Sequence, residues 1–287
     1  MKTNAVIVSL LLVVIGIWGY YQRFYPVQGH GSWVLQVVHE NLEGVSAFVY
    51  IDEDLYLVQE WTGGKFNGKL MLIDAQGSRT VLLENLKKPD GMSVYHGRPI
   101  FSQESGVHSL TRILEENIPF SLTQKFRNAE QIDVVQESGV EVIYVVEDLA
   151  SGRLLKYFPQ EERVETLLTG LQESEGVAVC ADGSVLIAVK GTGEIHRVKP
   201  DGTHQVLLSG LNKPAGVSCS GDEFLIVEDT SHGNLYRGTL DNPEPLEIIA
   251  SHLRSAQSIL KISPGHIMVS EQGRARIIEF REKASGP

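Results

Sequence analysis

Basic residues are in short supply: 25 Lys and Arg stand against 36 Asp and Glu in 287 residues, a net charge of −11. Duplex DNA and structured RNA demand a cationic face, so nucleic acid is excluded as a partner. Cysteine is scarcer still. Cys180 and Cys219 are the only two, which excludes a CxxC redox site and any Cys-rich zinc site. The chain has no Gly-x-Ser-x-Gly elbow, no HExxH and no phosphate-cradling glycine loop, so serine hydrolases, zinc peptidases and nucleotide enzymes find no support. After residue 30 no segment holds a sustained helical period.

Long apolar runs are absent except for one at the N-terminus. From Ala5 to Tyr21 the only clearly polar side chain is Ser9, with Lys2 before the run and Arg23 after it. That length is at the lower limit for a bilayer-spanning helix. A cleaved signal would close on a small-x-small site; this run closes on Ile17-Trp18-Gly19-Tyr20-Tyr21, the pattern of an interfacial aromatic belt. The expectation is a transmembrane anchor and short linker over residues 1–31, with residues 32–287 folded on the extracytoplasmic side, whether periplasmic, extracellular or lumenal. Without Lys2 and Arg23, 23 basic residues face 36 acidic ones, so that part carries −13.

What the chain does have is a repeat. An apolar run ending in Leu or Phe ahead of a turn recurs at Leu42, Leu86, Phe126, Leu171, Leu211 and Leu253, with spacings of 44, 40, 45, 40 and 42. The fifth copy shows the internal order: Gln205-Val206-Leu207-Leu208, Gly216-Val217-Ser218, Phe224-Leu225-Ile226-Val227 and Asn234-Leu235-Tyr236-Arg237, four short strands. Asp182-Gly183, Asp201-Gly202 and Ser220-Gly221-Asp222 read as hairpin turns between them. Six four-stranded units predict an all-β, six-bladed β-propeller. The chain enters on an outer-strand motif, Val34–Leu42, and leaves on Arg276–Phe280, the strand that normally precedes it. The N-terminal strand is therefore expected to close the last blade and remove both sheet edges.

In a propeller, the start of each innermost strand and the end of each second strand open on one face around the axis. At the first position the sequence places Glu43, Asp90, Glu130, Glu175, Ala215 and Gln257. At the second it places Glu60, Glu104, Glu147, Lys190, Glu228 and Glu271, with Asp148 and Asp229 adjacent. Carboxylates converging on a narrow channel raise each other's pKa, a conflict that a bound cation removes. Oxygen donors without Cys favour Ca²⁺ or another hard divalent cation. Glu43, Asp90, Glu130 and Glu175 are the expected metal ligands, because they lie nearer the axis. The other reading is that these Glu-Gly and Asp-Gly pairs are turn chemistry multiplied by duplication, each acid capping its own loop.

Among the histidines, His108 and His232 fall in loops of the same face, within reach of proton transfer, while His96, His196 and His266 lie elsewhere and carry no assignment. Cys180 and Cys219 follow their glycines by four and three residues, which places them on opposite sides of the pleat and predicts two buried thiols.

The segment Gly193-Glu194-Ile195-His196-Arg197-Val198-Lys199-Pro200-Asp201-Gly202, followed by Leu211-Asn212-Lys213-Pro214-Ala215-Gly216-Val217, resembles the repeat of the gluconolactonase, senescence marker protein and luciferin-regenerating-enzyme family. It is also similar to strictosidine-synthase-like and NHL-repeat propellers. The resemblance implies a divalent metal, usually Ca²⁺, on the axis, holding a lactone or ester carbonyl and the attacking water. Glu43-Gly44-Val45 matches the family's first-blade ligand, and Pro89-Asp90-Gly91-Met92 its Pro-Asp-Gly ligand turn; the family's Asn-Gly motifs are replaced by Glu130-Gln131 and Glu175-Gly176.

Two functions follow. One is a membrane-anchored, divalent-metal-dependent hydrolase of lactone or ester substrates, with Asp90 or Glu175 as the catalytic residue that takes a proton from water. The other is a non-catalytic propeller scaffold that presents this rim to a small ligand or a protein.

Overall fold

The computed structural model describes residues 2–283 apart from 64–66, 106–108, 116–117 and 124–125. His108 lies outside the described residues. Six antiparallel sheets follow one another along the chain from Val45 to Glu282. Their innermost strands are Val45–Ile51, Pro89–Tyr95, Ala129–Glu137, Ser174–Val179, Pro214–Ser220 and Ala256–Ser263, and each sheet then runs outward in chain order. The six-bladed propeller is thus the observed fold.

Closure is as the repeat predicts. Trp33–His39 pairs antiparallel with Arg276–Glu282 as the outermost strand of blade 6. Between blades the contacts are apolar. Val145, Leu155 and Tyr157 of blade 3 sit at 0–1% exposure in one cluster with Ile100 and Leu110 of blade 2. Such faces bury only against a neighbouring blade, so the ring has to close for any blade to be stable. The turn signals also hold: Gly183, Gly202 and Gly221 take positive φ, and Asp182 and Asp201 accept the N–H of Ser184 and Thr203.

Two of the acid-Gly pairs expected around the axis are not turns. Asp90-Gly91 and Glu175-Gly176 lie inside innermost strands. A Cβ on Gly176 would stand 2.2 Å from the carbonyl oxygen of Ala215, and one on Gly91 2.6 Å from that of Glu130. Glycine is required there because neighbouring inner strands crowd together around the axis.

The two cysteines are joined, which corrects the expectation of free thiols. Cys180 and Cys219 form a disulfide with Cα atoms 5.1 Å apart. Pleat alternation relates residues of one sheet, whereas these strands belong to different blades, and Cys180 lies just beyond the end of its strand. The bridge closes a loop of 39 residues across blades 4 and 5. Replacing both residues by Ser is expected to cost about 3–4 kcal/mol, read as a lower unfolding temperature that reductant no longer changes.

The N-terminal segment forms a helix, α1 (Lys2–Phe24). Its described side chains, residues 7–20, are all exposed, and Ile7, Leu10, Leu12, Val14 and Trp18 are each more than 50% accessible. Among the described residues no helix is long and apolar enough to cross a membrane, so the expected transmembrane span is not found.

Candidate functional site

Six hydrogen bonds fix the register of the blades around the axis. In each blade the residue just past the second strand donates its N–H to a residue ahead of the innermost strand: Glu60 to Gly44, Glu104 to Lys88, Asp148 to Asn128, Lys190 to Glu173, Asp229 to Lys213 and Gln272 to Ser255, all at 2.8–3.0 Å. All six acceptor residues are left-handed, with φ between 46° and 65°. Two residues further on stands the first ring: Ser46, Asp90, Glu130, Glu175, Ala215 and Gln257. The donors themselves form the second ring: Glu60, Glu104, Asp148, Lys190, Asp229 and Gln272.

This register corrects four residues read from the sequence. Glu43 is not the blade 1 member of the first ring; Ser46 is, and its hydroxyl donates to Asp90 Oδ1. Glu43 stands one residue before the left-handed position, is exposed, and accepts the N–H of Gly63 at 2.8 Å. The Glu-Gly dipeptide at 43–44 misleads because Gly44 takes positive φ and packs on the Trp61 backbone of its own blade, whereas Gly91 and Gly176 meet the inner strand of the next blade. Likewise Glu147, Glu228 and Glu271 end their strands one residue before the second ring, and the alternation of the strand turns them away from it. They are 0%, 4% and 0% exposed. Each accepts a backbone N–H from the connection ahead of its innermost strand, from Arg127, Asn212 and Arg254 respectively. Glu147 also pairs with Arg153, and Glu271 with Arg274 and Arg276. These three acids are structural.

Among the described residues, the two rings hold seven carboxylates and Lys190 around the axis, and Lys88 joins them from the turn ahead of its innermost strand. Lys88 Nζ lies 3.2 Å from Glu60 Oε1 and also binds Glu104. Lys190 Nζ bridges Glu175 at 2.8 Å and Asp229 at 3.0 Å. Gln272 donates to Glu60 Oε2 at 3.0 Å. Two triads bring carboxylate oxygens within 4.8 Å of one another: Glu60, Asp90 and Glu104, and Glu104, Glu130 and Asp148. Glu104 belongs to both. Of the four predicted ligands, Asp90 and Glu130 enter these triads, while Glu175 is held by Lys190 and Glu43 lies outside. Glu60, Glu104 and Asp148, at or beside the second ring in sequence and outside the expected ligand set, are central to the triads.

Burial and mutual repulsion act on these groups together. Burial first, then the charges of Glu60 and Glu104, hold the Asp90 carboxyl well above the usual range. Glu130 is raised in the same way by burial and by Asp90 and Glu175, and its Oε2 is buried without a hydrogen-bond partner. Burial also raises Glu60 and Asp148. Glu175 is pushed up to about 7 by burial, against the pull of Lys190. An orphaned buried carboxylate oxygen amid converging acids is a donor set that fits a hard divalent cation. Glu104, Glu130 and Asp148 would hold it, with Asp90 alongside.

A pH dependence follows. A carboxyl whose pKa is higher folded than unfolded adds stability that is complete below the unfolded pKa and is lost as pH rises through the folded one. For Glu175 that window runs from its ordinary 4.5 to about 7, worth about 3 kcal/mol at the alkaline end. The chelated protein is therefore expected to melt several degrees higher at pH 5 than at pH 8. A divalent cation should flatten the profile, which calorimetry at both pH values checks.

His232 lies on this face as expected, bonded to Ser231, its ring 6.0 Å from that of His252. His96 and His266 pair with Glu141 and Glu279, and His196 with Glu194.

The chain superimposes on solved propellers at low sequence identity. A gluconolactonase from Xanthomonas campestris matches with a TM-score of 0.74 and 12% identity over 89% of this chain and 91% of that one. A second structure assigned as a gluconolactonase gives 0.68 and 10% over 88% and 93%. The fold is the one these gluconolactonase structures have. It is shared more widely, since a virginiamycin B lyase from Staphylococcus aureus matches with 0.60 and 12% identity over 87% and 99%. The gluconolactonase-like architecture is therefore established by shape, and activity has to be argued from the site. No family model matches the chain, and no curated protein matches it.

Proposed function

We propose that the protein is a divalent-metal-dependent hydrolase of lactone or ester substrates, working at the acidic end of the propeller axis. The observation that carries this reading is the convergence of Asp90, Glu104, Glu130 and Asp148, with one buried Glu130 oxygen unpaired. A Ca²⁺ or similar ion held there would polarise a substrate carbonyl and lower the pKa of a nearby water. Glu175, poised near neutrality and held by Lys190, takes the proton from the attacking water and returns it to the leaving alkoxide. Asp90, fixed by Ser46, orients that water. The gluconolactonase likeness supports the reaction class.

The same proposal puts the propeller, residues 32–287, on an extracytoplasmic side, tethered to the membrane through residues 1–31. The Cys180–Cys219 disulfide supports an oxidising compartment, and the exposed apolar side chains of α1 support lipid contact. The first experiment is titration of Ca²⁺ into the chelated protein, followed by a screen of lactones and aryl esters. One-to-one binding with metal-dependent hydrolysis is expected. Binding without hydrolysis would leave a metal-stabilised ligand scaffold, and no binding would make the ring structural.

A further inference from the structure

Where α1 joins the propeller bears on what the site can take in. The linker after the helix is fastened: Arg274 Nη2 donates to Tyr25 O at 2.5 Å, and the Tyr25 ring packs on His252 at 4.2 Å. Val27 is buried in the core shared by blades 5 and 6, and Gln28–Gly29 pairs with Ala250 and Ser251 as a fifth strand on blade 5. Both Tyr25 partners belong to the acidic face. His252 lies three residues before left-handed Ser255, and Arg274 follows Gln272, whose side chain reaches Glu60. From the end of the helix to the ring the path is Tyr25, Arg274, Gln272, Glu60.

The helix itself identifies its surroundings. From Ile7 to Tyr20 the only clearly polar side chain is Ser9, and apolar groups occupy every side. A helix that docks in a protein groove needs one apolar stripe; one that is apolar all round needs apolar surroundings on all sides. Lipid meets that condition.

We infer that α1 turns the acid-lined mouth of the propeller toward a bilayer, and that the site takes amphiphiles, lactones or esters bearing an acyl tail, from the lipid phase. The orientation rests on the proposed tether, and the substrate class rests on the proposed hydrolase. The acyl tail stays in lipid while the carbonyl head enters the ring.

The test uses the full chain with one added cysteine, since the native pair is bonded. Lys213→Cys marks the acidic face and Asp222→Cys a hairpin at the other end; both positions are exposed. Each variant is labelled with a bimane fluorophore and mixed with phosphatidylcholine vesicles containing brominated lipid. Flotation with the vesicles, and quenching several-fold stronger at position 213 than at 222, is expected. Equal or reversed quenching overturns the orientation, and failure to float overturns the tether with it. For substrate class, short- and long-tailed lactones are compared in vesicles carrying the protein. A rate at least about 10-fold higher for the long tail is expected. Hydrolysis without tail preference overturns the amphiphile assignment alone, whereas hydrolysis of neither overturns the hydrolase reading and leaves the quenching result standing.

Discussion

Glu104→Gln is expected to weaken divalent-cation binding by about 100-fold or more and to abolish metal-dependent hydrolysis. Glu104 is the one carboxylate common to both triads, so its neutralisation removes a donor from each at once. Glu130→Gln should act in the same direction through its unpaired Oε2. Glu104 is one of the charges that, after burial, raise Asp90 and Glu130, and Glu130→Gln removes a buried carboxyl whose pKa is itself raised. Both chelated variants should therefore melt higher than the chelated parent at pH 8, opposite to the usual effect of a core substitution. Glu43→Gln is the control: it stands outside the triads, so it should leave affinity within about two-fold. Calorimetric titration and thermal unfolding read all three. Affinity lost in Glu43→Gln but kept in Glu104→Gln would restore the sequence-derived ligand set and overturn the register of rings argued above.

The second large effect concerns stability alone. Glu271→Ala should cost about 3–5 kcal/mol, roughly 10 °C in unfolding temperature. Glu271 is fully buried, pairs with Arg274 and Arg276, and accepts the N–H of Arg254. Its removal strands two guanidinium groups and one backbone donor at the seam between the last blade and the linker from α1. Arg274 then loses the partner that holds it against Tyr25 O, so protease cleavage near residue 25 should accelerate as well. Glu147→Ala, at the same strand position in blade 3 but remote from the linker, should lose comparable stability without that cleavage. Melting curves and limited proteolysis of the two variants separate these effects.

Much of the fold was legible in the linear chain. Periodic Leu and Phe, four apolar runs per unit and Gly-rich turns report local backbone preference and one-sided burial, and those act over a few residues. The offset between the entering strand at Val34 and the leaving strand at Arg276 revealed closure for the same reason: each strand carries its own signature. The acidic character of one rim was also visible, since Asp90, Glu130 and Glu175 recur at the start of like strands.

What the chain alone could not settle depends on one-residue register and on which blades face each other. Glu43-Gly44 and Glu175-Gly176 look alike in sequence, yet one glycine supplies a left-handed turn against its own blade and the other lets the inner strands of two blades meet. Glu147 and Asp148 are adjacent acids; strand alternation sends the first to an arginine and the second to the axis. Lys190 was visible in the second ring and Lys88 shows no motif, and both become counter-charges only when the ring closes around them. The disulfide belongs to the same class, because pleat parity says nothing about two strands in different sheets. Composition and periodicity determined that this chain is a ring of six blades with an acidic rim. Tertiary structure decided which acids converge, because convergence is set by distances between blades some 40 residues apart.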